Sequence, residues 1–209
     1  MPSDLPPNAG PVLTRLAKEA IVSALAGRSP TALPDTPAFL HQPGAAFVTL
    51  TQNGELRGCI GSLEAYRPLG RDVQSHAVDA ALGDPRFPPL RAEELGRTDI
   101  EVSVLSEAEP LPFSSREDLL SKLHPGRDGL ILEAHGRRGT FLPQVWDQLP
   151  TSEVFLAHLI RKAGLPSGYW DADVRIWRYS VTAFEQAAPD GNGGAEGTAE
   201  DGGIGHDNQ

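Results

Sequence analysis

Apolar residues recur at helical spacing from Pro11 to Ala26, where Val12, Leu13, Leu16, Ala17, Ala20, Ile21, Ala24 and Leu25 share one side. Pro11 suits the first turn and Gly27 the stop, so the pattern predicts an amphipathic helix. From Ser29 to Gly44 the prolines at 30, 34, 37 and 43 each remove a donor and restrict the preceding residue. That stretch reads as an extended connector burying at most Phe39 and Leu40. The period then changes to two: AFVTLT and LRGCIGS flank Gln52-Asn53-Gly54-Glu55, and Asn-Gly is a strong hairpin signal.

A second helix is expected from Pro68 to Leu82, with Leu69, Val73, His76, Ala77 and Ala80 on one side. The three prolines in Asp84–Leu90 exclude a helix there. Ile100, Val102 and Val104 alternate with Glu101 and Ser103 as a strand with one wet face. Ser114-Ser115-Arg116-Glu117 has the spacing of a capping box opening a short helix to Leu123. Leu130–Glu133 and Thr140–Leu142 bracket a second turn at His135–Gly139. Thr151 or Ser152 caps a helix through Ala163 that Gly164 ends, and Arg175–Phe184 is a final strand with Trp177, Tyr179 and Val181 on one face. The order helix, hairpin, helix, strand, then short helix, hairpin, helix, strand is α+β with a hint of duplication. No Gly-rich nucleotide loop of the standard types occurs.

Charge changes this picture little. The chain of 209 residues carries a net charge of −10, and residues 187–209 hold Asp190, Glu196, Glu200, Asp201 and Asp207 with no Lys or Arg, so half of it belongs to them. Seven of the 22 Gly also lie in that stretch, and Ile204 is its one large aliphatic residue, which predicts a disordered tail. His206 beside Asp207 reads there as solvated filler. Residues 1–9 are expected to be flexible, leaving one domain over 10–186. An acidic body is poorly suited to phosphate backbones, so direct nucleic-acid binding is not expected. No apolar run reaches about 18 residues, and MPSDLPPNAG has neither a basic nor an apolar leader pattern. A soluble cytoplasmic protein is expected, and the single cysteine suits a reducing compartment.

That cysteine is the centre of the candidate chemistry. Strict alternation places Leu56, Gly58 and Ile60 on one face of the strand and Arg57, Cys59 and Gly61 on the other. Arg57, about 7 Å along the strand from Cys59, would favour a thiolate as electrostatic partner of a nucleophile. Gly58 and Gly61 indicate a close backbone approach, a bulge or room for a ligand. The competing reading makes Cys59 a small buried hydrophobe and gives the glycines to packing. Spacing alone leaves both open. Asp84, Arg86 and Arg138 are candidates to line a cleft around an anionic ligand; as loop charges they also read as ordinary surface. Among the histidines, His76 sits on an apolar stripe as a core residue. His135 is exposed in a turn, His158 is expected to be partly buried, and His41 and His124 flank prolines. No pair has metal-ligand spacing, so no metal site is expected.

The hexapeptide LRGCIG at 56–61 resembles the AMMECR domain family. Supporting matches are AALGDPRFPPL at 80–90, IEVSVLSEAEPL at 100–111, GRRGTFLPQVWDQLP at 136–150 and FLAHLIRKAGLP at 155–166. The resemblance covers about residues 10–186. It implies an α+β domain of two repeated β-rich units with swapped closing strands and an extra N-terminal helix, forming a larger and a smaller lobe around a cleft. In prokaryotes such proteins look like component A of the AmmeMemoRadiSam system, beside a Memo-like protein and a radical S-adenosylmethionine protein. The resemblance names neither a reaction nor a cofactor. Three readings follow: an enzyme component using Cys59, a noncatalytic adaptor or binding subunit, and an accessory factor in RNA-base modification.

Overall fold

The computed structural model describes residues 5–189. Helix α1 spans Ala9–Leu25, with Pro11 in its first turn and Gly27 at φ +68° closing its end. Strands β1 (Ala46–Gln52) and β2 (Glu55–Gly61) form the first hairpin, whose Asn53 and Gly54 both have positive φ. This is the turn that the Asn-Gly pair favours. Helix α2 is Leu69–Leu82, followed after a short 3-10 helix at Ala92–Arg97 by β3 (Asp99–Leu105). A two-residue strand β4 (Glu109–Pro110) leads to α3 (Arg116–Lys122) and the second hairpin, β5 (Gly129–Ala134) and β6 (Arg137–Phe141). Helix α4 (Ser152–Lys162), β7 (Arg175–Tyr179) and β8 (Val181–Gln186) complete the described chain.

Two antiparallel sheets result, in the orders β2-β1-β3-β8 and β4-β7-β5-β6. The closing strands are exchanged: β4 leaves β3 to pair with β7, while β8 leaves β7 to pair with β3. The single strand expected over Arg175–Phe184 is therefore two strands in two sheets, divided at Ser180. Alternation continues across the break, because Trp177, Tyr179 and Val181 all join one apolar cluster with Ala45, Leu105 and Ile131, where the lobes meet.

Helices α1 and α2 cover one face of the first sheet, forming the larger lobe's core with Leu13, Ile21, Leu40, Val48, Leu50, Val73 and Val102. In the smaller lobe, Leu119, Leu130, Leu132, Phe155, Leu156 and Leu159 pack together, and Trp146 stacks on Phe155 at 3.8 Å. Phe39 and Leu40 are buried by a 3-10 turn inside the proline-rich connector, as the sequence suggests. The caps shift by one: Ser115, not Ser114, is the N-cap of α3, accepting the Asp118 N–H, and Asp118 answers by accepting from the Ser114 N–H. Both ends of the domain reach further than expected. Leu5 packs on the core and Ala9 is already helical. Ala188 is buried and donates its N–H to Asp99 Oδ1 at 2.7 Å. The rest of the tail expected to be disordered, from residue 190, lies outside the described residues.

Candidate functional site

Strand β2 carries the hexapeptide on the edge of the first sheet. Its register against β1 runs Thr49↔Cys59 and Leu50↔Gly58, then jumps to Thr51↔Leu56, so Arg57 is the extra residue of a β-bulge. A bulge resets the alternation. Leu56 pairs with Thr51 and so lies on the Cys59 face, 44% exposed, instead of beside Gly58. Arg57 turns to the helix-covered side, where its Nε meets Glu94 Oε1 at 3.2 Å; both side chains are 12% exposed. Gln52 and Thr98 join the same network. Arg57 and Cys59 therefore do not share a surface, which corrects the sequence expectation. Burial raises the Glu94 carboxyl, but the Arg91 N–H and the Arg57 guanidinium overrule it and hold the carboxyl below its ordinary range.

The two glycines are accounted for by packing. A Cβ on Gly58 would overlap the Ala80 carbonyl oxygen of α2, and one on Gly61 would collide with the Phe47 ring and stand 2.7 Å from the Ala46 oxygen. Gly58 thus lets helix and strand backbones touch.

Cys59 is held by its backbone. Asp84, buried just beyond α2, accepts the Cys59 N–H at 2.9 Å through Oδ2. Arg86 grips the same carboxylate through Nε at 2.9 Å and Nη2 at 2.6 Å, and that Nη2 also donates to the Cys59 carbonyl at 3.0 Å. Both main-chain groups that an edge strand would leave open at Cys59 are thereby closed. The Arg86 side-chain bond holds the Asp84 carboxyl far below the usual carboxylate range, against the opposing pull of burial. In return Asp84, and to a smaller extent Cys59, hold Arg86 in its charged form. The cation beside the thiol is thus Arg86, and Asp84 already compensates its charge.

The side chain of Cys59 emerges on the sheet face that no helix covers. It is half-buried, belongs to none of the three apolar clusters, and its Sγ accepts the Thr49 hydroxyl at 3.4 Å. Thr49 is matched on its other side by Glu101, and Glu101 by Glu185, so one row across the sheet reads Cys59, Thr49, Glu101, Glu185.

Arg138 lies elsewhere, on β6 of the smaller lobe. It pairs with Glu64, just beyond the hexapeptide, and the two line a cavity of about 250 Å³ between the lobes with Leu63, Ile131, Thr140 and Lys162. Cys59, Gly58, Asp84 and Arg86 are therefore assembled together, Gly61 lies further along β2, and Arg57 and Arg138 stand apart.

Sequence reasoning missed Asp72, a polar residue on a helix that turns out fully buried. It accepts the Ala46 N–H at 2.9 Å, the Ser62 hydroxyl and Arg67 Nε at 2.7 Å, tying both ends of the hairpin to α2. Burial pushes this carboxyl up, but hydrogen bonds from His76 and Arg67 prevail and lower it. His76 is buried as expected, with Nε2 at 3.3 Å from Asp72. His158 is exposed, because it falls one step off the Phe155–Leu159 stripe. Spacing along the chain also hid a grouping in space: His135, Asp171 and Asp173 each offer a ligand atom within 4.8 Å of the others. Asp173 is already occupied there, accepting the His135 N–H at 2.9 Å and the Tyr169 hydroxyl at 2.7 Å.

Two α+β lobes with exchanged closing strands, and an edge strand whose cysteine is clamped through its main chain, define a distinct class of domain. The chain belongs to the AMMECR1 family, whose model matches residues 14–184. It is 42% identical over 184 residues to a protein of Methanothermobacter thermautotrophicus, covering 85% of this chain and 94% of that one. It is 38% identical to protein MJ0810 of Methanocaldococcus jannaschii, over 87% of this chain and 92% of the relative. The crystal structure of the uncharacterized protein PH0010 from Pyrococcus horikoshii superposes with a TM-score of 0.75 at 37% identity, covering 88% of this chain and 94% of that chain. Among the described residues, no helix is long and apolar enough to cross a membrane.

Proposed function

We propose that this protein is a ligand-binding component that presents the Cys59 thiol to a small molecule, working in the cytoplasm beside a Memo-like protein and a radical S-adenosylmethionine protein. The observation that carries the reading is the placement of Cys59: half-buried, on an uncovered sheet face, with a polar partner in Thr49 and a main chain fixed by Asp84 and Arg86. A thiol kept for packing needs no such fixing, whereas a reacting group gains from preorganisation. Among the described residues, no histidine or carboxylate stands within hydrogen-bond reach of Sγ to serve as a base. That favours a component that acts with partners over a self-sufficient catalyst. The test is to treat the folded protein with iodoacetamide, and to co-express it with the two partner proteins as wild type and as Cys59→Ser. Rapid alkylation together with loss of system activity in Cys59→Ser supports the reading; an inert thiol in the folded protein sinks it.

An adaptor role is the second reading. Leu56, the first residue of the hexapeptide, is 44% exposed and Tyr66, five residues beyond it, is 66% exposed, and the Asp84 and Arg86 charges are spent on each other. This reading expects Cys59→Ser to keep both partner association and system activity.

A further inference from the structure

We infer that the crossover between the lobes holds a second binding site, for a small zwitterion of amino-acid type, with a carboxylate at one end and an ammonium at the other. A cavity of about 400 Å³ opens where the chain passes between the sheets, within the roughly 300–1,000 Å³ common for small-molecule sites. Its floor is the pair Ser106 and Ser180. The Ser106 N–H donates to the Ser180 carbonyl at 2.9 Å, and the Ser180 N–H donates to Ser106 Oγ at 2.9 Å.

The lining carries charges of both signs, of which Asp128 takes up His124 and Arg178 and the rest stay unpaired among the described residues. Glu107, Glu109, His124, Arg127 and Arg178 all line the cavity. Glu109 sits directly across from Arg178 in the β4–β7 ladder, yet the two form no ion pair. Among the described residues, the side chains of Glu107, Glu109 and Arg127 have no hydrogen-bond or ion-pair partner. One unpaired surface charge is ordinary; three of mixed sign facing one cavity form a dipolar receptor.

The site is built from beneath by Asp128, whose side chain is 9% exposed. Its Oδ2 accepts the His124 N–H at 2.8 Å and stands 3.3 Å from His124 Nδ1 and 3.7 Å from Arg178 Nη1. Its carbonyl accepts Trp146 Nε1 at 2.7 Å. Gly126, at φ +77°, bends the loop so that the Arg127 and Asp128 N–H groups both reach the His124 carbonyl at 3.1 Å. Asp128 thereby compensates Arg178 and orients the imidazole. Arg127 remains for a ligand carboxylate, and Glu107 and Glu109 remain for an ammonium. A simple anion would meet two uncompensated carboxylates and a simple cation would meet Arg127, so the zwitterion fits best.

The inference is independent of Cys59. Amide NMR of the full chain titrated with L-alanine, acetate and methylammonium tests it. Saturable shifts around Arg127, Gly129 and Ser180 are expected with L-alanine, and only weak ones with either half-probe. Arg127→Ala and Glu109→Gln, both at exposed positions, should each weaken L-alanine at least about tenfold while leaving the rest of the spectrum in place. No saturable shift there up to about 10 mM, acetate or methylammonium binding as tightly as L-alanine, or variants that bind unchanged would each overturn it.

Discussion

The backbone of Gly58 lies against the carbonyl of Ala80, with no space between them for a methyl group. This contact joins α2 to the strand that carries the hexapeptide, and it leaves the next residue, Cys59, facing the opposite side of the sheet. A motif glycine of this kind sets how closely a helix can approach, and through that the height at which the neighbouring thiol stands.

Gly58→Ala should therefore be costly. The obstructing Ala80 oxygen is main chain and cannot swing aside, so a loss of about 2 kcal/mol is expected from overpacking. Urea denaturation measures it. An unchanged midpoint would mean that α2 rides higher on the sheet than described.

Asp84→Asn removes the charge that balances Arg86 and weakens the acceptor for the Cys59 N–H. Breaking a buried pair costs about 3–5 kcal/mol; Arg86 is half exposed, so roughly 2 kcal/mol is the sounder expectation here. Hydrogen exchange at the Cys59 amide should quicken beyond what the global loss accounts for. Protection at that amide equal to the wild type's would remove the clamp from the account.

Acid stability follows from the same residue and from Asp72. Both carboxyls titrate below their ordinary value in the folded protein. The stability they add is complete above the unfolded carboxyl value of about 4 and drains away as pH falls towards the folded value. The thermal midpoint should fall as pH drops below about 4, and Asp84→Asn should flatten that limb. An equally steep limb in the variant would assign the acid sensitivity elsewhere.

Cys59→Ser should fold normally, with a stability change under about 1 kcal/mol, because the side chain is half-buried and lies outside the apolar clusters. Differential scanning fluorimetry reads this directly. A collapse of the midpoint would show that the thiol is packed as core.

What could be read in the sequence was local. Asn53-Gly54, the Thr151 cap and the stops at Gly27 and Gly164 act within a few residues, and each feature formed where expected. The apolar faces of α1 and α2 were equally legible, since a period of 3.6 needs no partner. The bulge at Arg57 was not, because register belongs to two strands and only the mismatch with β1 reveals an extra residue. Ser180 interrupts no pattern, so the change of sheet between Tyr179 and Val181 left no trace in the alternation. Asp72 looked like any polar helix residue; its burial depends on Arg67 and on the N–H of Ala46, 26 positions away. Cys59, Asp84 and Arg86 could be named as candidates, but the clamp joining them appears only once α2 returns the chain to the edge of β2.

The exchange of closing strands bears on how the chain is made. β3 ends at Leu105, yet its outer neighbour β8 begins only at Val181, so the larger lobe's sheet waits for the ribosome to finish almost the whole domain. Until then Val102, Val104 and the α1 face that receives Phe184 lack their last partner. A nascent chain stalled within the smaller lobe exposes an unpaired strand edge, the kind of surface that chaperones hold and that neighbouring chains invade.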